Sequence, residues 1–175
     1  MLMIIAIVFA LVVFAILIYA AMQPGSFRVQ RSIDIRASTE KIFPHVNDFH
    51  LWDAWSPWEK VDPAVKRTYG GAEQGVGATY GWEGNKDIGE GRMTIVESIP
   101  SSKVLLDIEF IKPFAGKNKI EFTLANHGDT TTLTQAMFGP TPYIAKLMCL
   151  FFNRDKMIGD KYEEGLASLK TIAES

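Results

Sequence analysis

The C-terminal third of the chain, residues 141–173, carries the pattern that most restricts the possible folds. Its apolar residues recur at spacings of three, four or seven, which predicts one long amphipathic helix with a broad apolar face. These residues are Ile144, Leu147, Met148, Phe151, Ile158, Tyr162, Leu166, Leu169 and Ile172. The preceding chain has short segments of alternating apolar and polar residues, which predict an antiparallel sheet. We therefore expect a sheet curled around the helix, with a core or a cavity between them.

Seven strands are predicted, at residues 27–36, 65–69, 76–83, 88–99, 103–112, 117–125 and 130–138. Short turns join most of them, so neighbours along the chain should pair in antiparallel. After the first strand, Ser38 begins a short helix that Pro44 limits, and Asn47 and Asp48 can cap a second short helix ending near Ala54. The predicted fold class is α+β, with an about seven-stranded antiparallel sheet around the long C-terminal helix.

The first 22 residues, Met1 to Met22, form an unbroken apolar run, and no charged residue appears before Arg28. At 1.5 Å per residue the run is about 33 Å long, enough to cross a hydrocarbon core of about 30 Å. We predict an N-terminal transmembrane helix at 1–22, a linker at 23–26 and one folded domain at 27–175. A cleaved signal peptide is the alternative, although the run has no basic start and a poor cleavage site.

The charges beside this run predict its orientation. Arg28, Arg31, Arg36 and Lys41 all follow it, whereas only the terminal amine precedes it. The positive-inside rule then predicts a single pass in the cell (inner) membrane with the folded domain in the cytoplasm. A single cysteine, Cys149, cannot form an internal disulfide and fits a reducing compartment. Because it lies in an apolar helical stretch, we expect a buried, inert thiol.

The balance of charge argues against a nucleic-acid partner. The chain has 18 basic and 20 acidic residues, a net charge of −2, whereas nucleic-acid binders carry a basic surplus or stripe. His45, Asp48, His50 and Asp53 invite a metal-site interpretation. However, a spacing of five places the two histidines roughly 140° apart on a helix. We predict solvated side chains, and no metal or cofactor.

Several stretches resemble one known superfamily in their order and residues. They are residues 33–43 (IDIRASTEKIF), 52–58 (WDAWSPW), 75–78 with Trp82, and 157–159 leading into 165–170. Over residues 27–173 the chain resembles the START-like superfamily, also called SRPBCC or Bet v 1-like, in its polyketide cyclase/dehydrase branch. The resemblance implies a helix-grip fold. That superfamily includes lipid carriers and aromatic cyclases, but no family catalytic motif can be carried over to residues of this chain.

Aromatic and apolar side chains supply the candidate ligand-binding residues. They offer apolar area, and tryptophan adds an N–H donor. The alternative is that the same side chains simply form the core. The candidates are Trp52, Trp55, Trp58, Tyr80, Trp82, Phe110, Phe122, Phe138, Met148 and Phe152.

Two further features have alternative interpretations. Arg31 falls in the apolar phase of the first strand, where a rim or salt-bridge position is expected and a pocket cation is the alternative. Residues 143–152 are apolar around the whole helix, so we expect burial, with contact to the bilayer beside the N-terminal helix as the alternative.

The sequence favours a membrane-tethered module that binds a hydrophobic small molecule or lipid between the sheet and the C-terminal helix. A filled core would contradict this hypothesis. A structural or regulatory partner of another membrane protein is the second hypothesis, which an exposed apolar patch over a closed core would favour. A cyclase- or dehydratase-type enzyme is the third, and would need an acid–base pair in the pocket, for which Glu83, Glu97, Asp107 and Arg31 are the candidates.

Overall fold

The computed structural model describes residues 1–175 and contains four α-helices and seven strands. In chain order they are α1 (Leu2–Met22), β1 (Ser26–Ile35), α2 (Thr39–Asn47), β2 (Lys66–Gly71), β3 (Ala78–Glu83), β4 (Glu90–Ile99), β5 (Lys103–Lys112), β6 (Gly116–Asn126), β7 (Thr131–Pro140), α3 (Tyr143–Cys149) and α4 (Arg154–Ala173). The strands form one antiparallel sheet in the order β1-β7-β6-β5-β4-β3-β2. This confirms the predicted helix-grip architecture.

The sheet buries alternate residues on the face that meets α4. On β5 and β6 these include Val104, Leu106, Ile120 and Phe122. The pairing of β4 with β5 shifts register between Ile95 and Glu97, a bulge of the kind that bends a strand and increases its twist. The period-2 pattern thus faces the helix along every central strand, and the sheet curls around it.

The C-terminal helix is broken, which corrects the prediction of one continuous helix over 141–173. Residues 150–153 separate α3 from α4. The side chain of Asn153 accepts a hydrogen bond from the backbone N–H of Lys156 at 2.9 Å and caps α4. Periodicity did not show the break because Ile158 and Tyr162 continue the apolar spacing of α3 across it.

The expected burial of residues 143–152 is wrong. Ile144 is 65% exposed, Phe151 76% and Phe152 57%, because the sheet ends before it reaches them. Cys149 is also exposed rather than buried, and its Sγ atom lies 3.0 Å from Nη2 of Arg154. The segment lies beside α1 instead of under the sheet.

The segment between α2 and β2 forms two 3-10 helices rather than one short helix. They span Phe49–Ala54 and Pro57–Lys60. Asp48 caps the first as predicted, since its side chain accepts from the backbone N–H of His50 at 2.9 Å. These turns bring the tryptophans of residues 52–58 under the sheet.

Arg31 ties β1 to α4 at the rim of the sheet. Its guanidinium group contacts Asp155 at 2.9 Å and Glu163 at 2.6 Å. These ion pairs confirm the salt-bridge interpretation and leave Arg31 outside the space between sheet and helix.

The first helix, α1, stands apart from the sheet. It has 21 residues, its most apolar window has a mean hydropathy of 3.2, and none of that window is buried. It is long and apolar enough to cross a membrane, a test that a signal sequence also passes. Ala20, near its C-terminal end, is its only buried residue.

Two glycines of α4 lie at close approaches, and their replacement should have different effects. A Cβ atom at Gly165 would lie 2.9 Å from Cδ of Pro57 and 3.5 Å from the Trp55 ring, neighbours that cannot move freely. Overpacking costs about 1–3 kcal/mol, against about 1 kcal/mol gained from alanine in a helix. We expect Gly165→Ala to lower the free energy of unfolding by up to about 2 kcal/mol.

Gly159→Ala is the matched variant. A Cβ atom there would meet only the flexible end of Arg31, at 2.0 Å, so the guanidinium group can move at the cost of exposed ion pairs. We expect a change within about 0.5 kcal/mol. Urea unfolding of both variants tests the pair, and equal losses at the two positions would contradict this account of helix packing.

Candidate ligand-binding cavity

A cavity of about 390 Å³ lies between the inner face of the sheet and the N-terminal half of α4. Seventeen of its 28 lining residues are hydrophobic, so its wall is mainly apolar. The C-terminal half of α4 closes the other end of the space, where Leu166 and Leu169 are fully buried in the core. Sheet and helix therefore enclose both a packed core and an open cavity.

The opposite face of the sheet has a larger depression of about 830 Å³. Only four of its 16 lining residues are hydrophobic, and charged side chains such as Arg92, Asp107 and Lys119 surround it. These features are those of a hydrated surface groove, whereas small-molecule sites are mostly apolar with few polar groups. The inner cavity is therefore the stronger candidate site.

Aromatic side chains form much of the cavity wall. All four tryptophans of the chain, Trp52, Trp55, Trp58 and Trp82, line it. The ring centroids of Trp52 and Trp55 are 5.3 Å apart, and Trp82 stacks on Tyr80 at 6.2 Å. The Trp82 ring lies directly over Gly91 on β4, where a Cβ atom would come within 2.4 Å of it. Because glycine has no side chain, the ring can pack against the strand at this position.

The structure brings six of the ten candidate ligand-binding residues together. Trp52, Trp55, Trp58, Tyr80, Trp82 and Phe110 line the cavity. Phe122 is fully buried behind it, edge-on to Trp52 and Trp55.

The other three candidates lie outside the space between sheet and helix. Phe138 is on the opposite face of β7, with the Arg28 guanidinium 5.0 Å from its ring, while its neighbour Met137 lines the cavity. Met148 and Phe152 are exposed on α3 and the turn after it. The alternation along β7 places Phe138 on the outer face. The break in the C-terminal helix places Met148 and Phe152 beyond the sheet.

One carboxylate in the wall was not singled out from the sequence. Both oxygens of Glu59 are engaged, one by the Tyr80 hydroxyl at 2.6 Å and the other by Nε of Arg67. The Glu59 side chain is almost fully buried. Because both partners donate to it, this carboxylate serves as a structural acceptor beneath the aromatic wall. No local sequence pattern distinguishes Glu59 from other acidic residues in turns.

Three buried polar atoms of cavity-lining residues have no hydrogen-bond partner. They are Nε1 of Trp52, Oε1 of Gln135 and the hydroxyl of Tyr162. Burial raises the pKa of Tyr162, and nearby Gln135 offsets part of the rise without completing a well-formed hydrogen bond. Unpartnered buried polar groups are uncommon and costly, so these atoms are available to a polar group of a bound molecule.

The acid–base candidates from the sequence do not meet inside the cavity. Glu83 pairs with Lys66, Glu97 with Lys103, and Asp107 with Lys119. The histidine and aspartate residues of 45–53 also stay apart from it. Nδ1 of His50 contacts Asp48 at 2.9 Å, and no three His, Cys, Asp or Glu side chains gather as metal ligands.

The mouth of the cavity lies where the β5–β6 turn meets α3. Phe114 comes from the turn and Lys117 from the start of β6, while Pro142 directly precedes α3, Ala145 lies in α3, and Arg154 begins α4. Arg154 stacks over the Phe27 ring at 4.2 Å and donates to Oγ1 of Thr141 at 3.1 Å. It forms no ion pair with a carboxylate, so its charge remains available at the mouth.

Ionisation of two tyrosines in the cavity wall, Tyr80 and Tyr162, should limit the stability of the fold at alkaline pH. Burial raises the pKa of both Tyr80 and Tyr162, and for Tyr80 the hydrogen bond to Glu59 adds to the rise. The unfolded chain therefore ionises first, near pH 10. These groups should leave the free energy of unfolding unchanged below about pH 10 and lower it above, by up to about 1.4 kcal/mol per pH unit each. Urea unfolding of the wild type and Tyr162→Phe measures this, and an equal slope in both would contradict it.

Similar structures share this architecture. The Aha1 dimer from Colwellia psychrerythraea is 19% identical with a TM-score of 0.57, covering 85% of this chain and 96% of that one. Protein CV1439 from Chromobacterium violaceum is 14% identical with a TM-score of 0.60, covering 87% and 99%. The di-domain ARO/CYC StfQ from the steffimycin biosynthetic pathway is 10% identical with a TM-score of 0.60, and the match covers 85% of this chain but 51% of that protein. At these identities the likeness concerns the fold.

Comparison of the sequence with curated proteins gives no match. The family model described as "Polyketide cyclase / dehydrase and lipid transport" matches residues 26–174, which is nearly the whole chain after α1. This agrees with the resemblance carried by the residue 33–43 and 52–58 stretches. The chain therefore belongs to the polyketide cyclase/dehydrase and lipid transport family.

Proposed function

We propose that this protein binds a hydrophobic small molecule or lipid in the cavity between the sheet and α4, while α1 holds it at a membrane. The observation that carries the proposal is the apolar cavity under an aromatic wall. A fully packed core would have left no such space, since protein interiors otherwise reach crystal-like density. Family membership supports the same function, because the family description includes lipid transport.

The dimensions of the cavity restrict the ligand class. Its volume of about 390 Å³ is near the lower end of the range for small-molecule sites. A single-chain or few-ring molecule fits this space, whereas both chains of a membrane phospholipid do not. The unpartnered atoms of Gln135 and Tyr162 favour a ligand with one hydrogen-bonding group, such as a hydroxyl or carbonyl.

Membrane tethering suits such a ligand. An apolar molecule partitions into the bilayer, so a domain fixed beside the bilayer meets it at a high effective concentration. The length and hydropathy of α1 support this role. Recovery of the protein from membranes with residues 1–22 still attached would support it, and recovery of a mature chain lacking them would show a cleaved signal sequence.

Tryptophan fluorescence provides the test of ligand binding, because all four tryptophans line the cavity. The full chain in vesicles is titrated with a brominated single-chain alcohol, and the same alcohol without bromine is the matched control. Saturable quenching by the brominated probe alone is the expected result. Quenching that rises linearly without saturation, or no quenching, would contradict a defined site.

Tyr162→Phe is expected to change ligand preference rather than stability. The variant removes a buried hydroxyl whose neighbour Gln135 does not form a well-aligned hydrogen bond with it, so the fold should lose little stability. A ligand hydroxyl that bonds to Tyr162 would lose about 1–1.5 kcal/mol, which is roughly a tenfold weaker Kd. The same fluorescence titration, with a brominated alcohol and a brominated alkane of equal length, measures this. Equal effects on the two probes would argue against a polar contact at Tyr162.

A further inference from the structure

The surface of α3 and the turn after it carries large apolar side chains that the fold leaves uncovered. Ile144 and Met148 lie one turn apart on α3, and Phe151 follows three residues later in the turn after the helix. All three are exposed, as are Phe152 beside them and Phe114 at the cavity mouth. We call these five residues the α3 patch. Contiguous apolar surface of this kind marks an interaction site.

A different face of α3 is docked on α1. The Tyr143 hydroxyl donates to the backbone carbonyl of Leu17 at 2.9 Å, and Nζ of Lys146 donates to that of Ala21 at 3.5 Å. Ala21 is in the last turn of α1, whose carbonyls lack helical partners, and a cation is favourable at this end of the helix dipole. Two side chains one turn apart therefore fix α3 against the end of α1.

This contact fixes the depth of α3 relative to α1. Leu17 lies five residues before Met22, the last residue of α1, which is about 8 Å along the helix axis. If α1 spans a bilayer, the Tyr143 hydroxyl lies about 8 Å inside the end of α1, and Nζ of Lys146 lies close to that end. Helices that lie in a membrane interface bury their apolar face about 5–10 Å into the boundary between head groups and acyl chains.

The charges near the patch suit the same environment. Lys146 and Arg154 lie on either side of residues 148–152, and they donate to the Ala21 carbonyl and the Thr141 hydroxyl rather than to a carboxylate. Apolar side chains with flanking unpaired cations fit a bilayer surface that contains anionic lipids. A protein partner at this surface would have to supply carboxylates to these two cations. The contact between α3 and α1 does not require such a partner.

We infer that the α3 patch inserts into the lipid bilayer next to α1, as a second membrane contact that holds the cavity mouth against the membrane surface. Phe114, in the patch, and Ala145, on α3, both line the cavity. An apolar ligand would pass between the acyl chains and the cavity without crossing bulk water. The inference rests on the proposed anchoring by α1 and extends the proposed function by naming the route of the ligand.

Depth-dependent fluorescence quenching in vesicles tests this inference on the full chain. A fluorophore is attached to Ile144→Cys or Phe152→Cys, each in a Cys149→Ser background. His127→Cys, in the turn at the far end of β6 and β7, is the control for solvent exposure, and Ile7→Cys in α1 is the control for membrane insertion. Vesicles of phosphatidylcholine and phosphatidylglycerol carry a spin-labelled lipid with its label near the head groups, and iodide serves as the aqueous quencher.

The expected result is strong lipid quenching and weak iodide quenching at residues 144 and 152, with the opposite at residue 127. Lipid quenching at residue 7 combined with iodide quenching at residues 144 and 152 would overturn the inference while leaving the anchor in place. Protection of residues 144 and 152 from both quenchers would also overturn it, by indicating that protein covers the α3 patch, which in these vesicles means another copy of the chain. Absence of lipid quenching at residue 7 would contradict both the anchoring by α1 and the inference that rests on it. Ligand binding is read separately, by tryptophan quenching in the same vesicles.

Discussion

Ile108→Trp should reduce ligand affinity at least tenfold without unfolding the protein. Ile108 lies on the inner face of β5 and lines the cavity, so a larger side chain there takes space that the ligand would occupy. Insertion of extra atoms into a packed core costs about 1–3 kcal/mol, but here the indole can extend into the cavity. The cost to stability should therefore stay near the lower end of that range. Saturable quenching by the brominated alcohol measures affinity, and circular dichroism checks the fold.

Ile111→Trp is the matched control for this variant. It places the same substitution three residues further along β5, on an exposed side chain that does not line the cavity. Affinity should be unchanged. If Ile108→Trp misfolds, Ala145→Trp at the cavity mouth tests the same point from α3. Full affinity in folded Ile108→Trp and Ala145→Trp variants would show that the ligand binds elsewhere.

Trp55→Ala should cause the largest loss of stability in the aromatic wall, about 3–5 kcal/mol. Trp55 is 2% exposed, and its Nε1 donates to the backbone carbonyl of His45 at 3.0 Å. Its ring packs edge-on to Phe122 with centroids 6.1 Å apart. Truncation leaves both a cavity in the core and an unsatisfied carbonyl at the end of α2, and each of these destabilises the fold.

Trp58→Ala provides the comparison within the same sequence motif. Trp58 is 38% exposed at the edge of the cavity, so its removal should cost less than about 1 kcal/mol while weakening ligand binding. Urea unfolding followed by circular dichroism measures both variants. Similar losses of stability would mean that the two tryptophans share one structural role, contrary to their different burial.

Much of the sheet could be predicted because its physical signal is local. Alternation on β5 and β6 shows which residues face inward, and the turns after them impose antiparallel pairing. The same alternation separates Met137, which lines the cavity, from Phe138, which lies on the outer face although its apolar character made it a cavity candidate. On β7, the alternation along the strand determines which face of the sheet a residue occupies, whatever the size of its side chain.

The rest depended on contacts between distant segments. The break before Asn153 follows from a side-chain cap that periodicity does not register. The apolar character of residues 143–152 predicts burial, but their position beside α1 depends on the break before Asn153 and on the contacts of Tyr143 and Lys146 with α1, which the sequence pattern does not contain. The Glu59 site requires Glu59, Arg67 and Tyr80 to meet from three separate segments of the chain. Their spacing in the sequence does not indicate this contact.

Native mass spectrometry of the full chain, released gently from membranes and combined with solvent extraction, tests the central claim most directly. The account predicts one co-purifying small apolar or single-chain molecule per chain, carrying a hydroxyl or carbonyl group, and its loss from Ile108→Trp but not from Ile111→Trp. A chain that shows only its own mass, both as isolated and after incubation with membrane lipid extract, would contradict the claim that the cavity is a ligand-binding site.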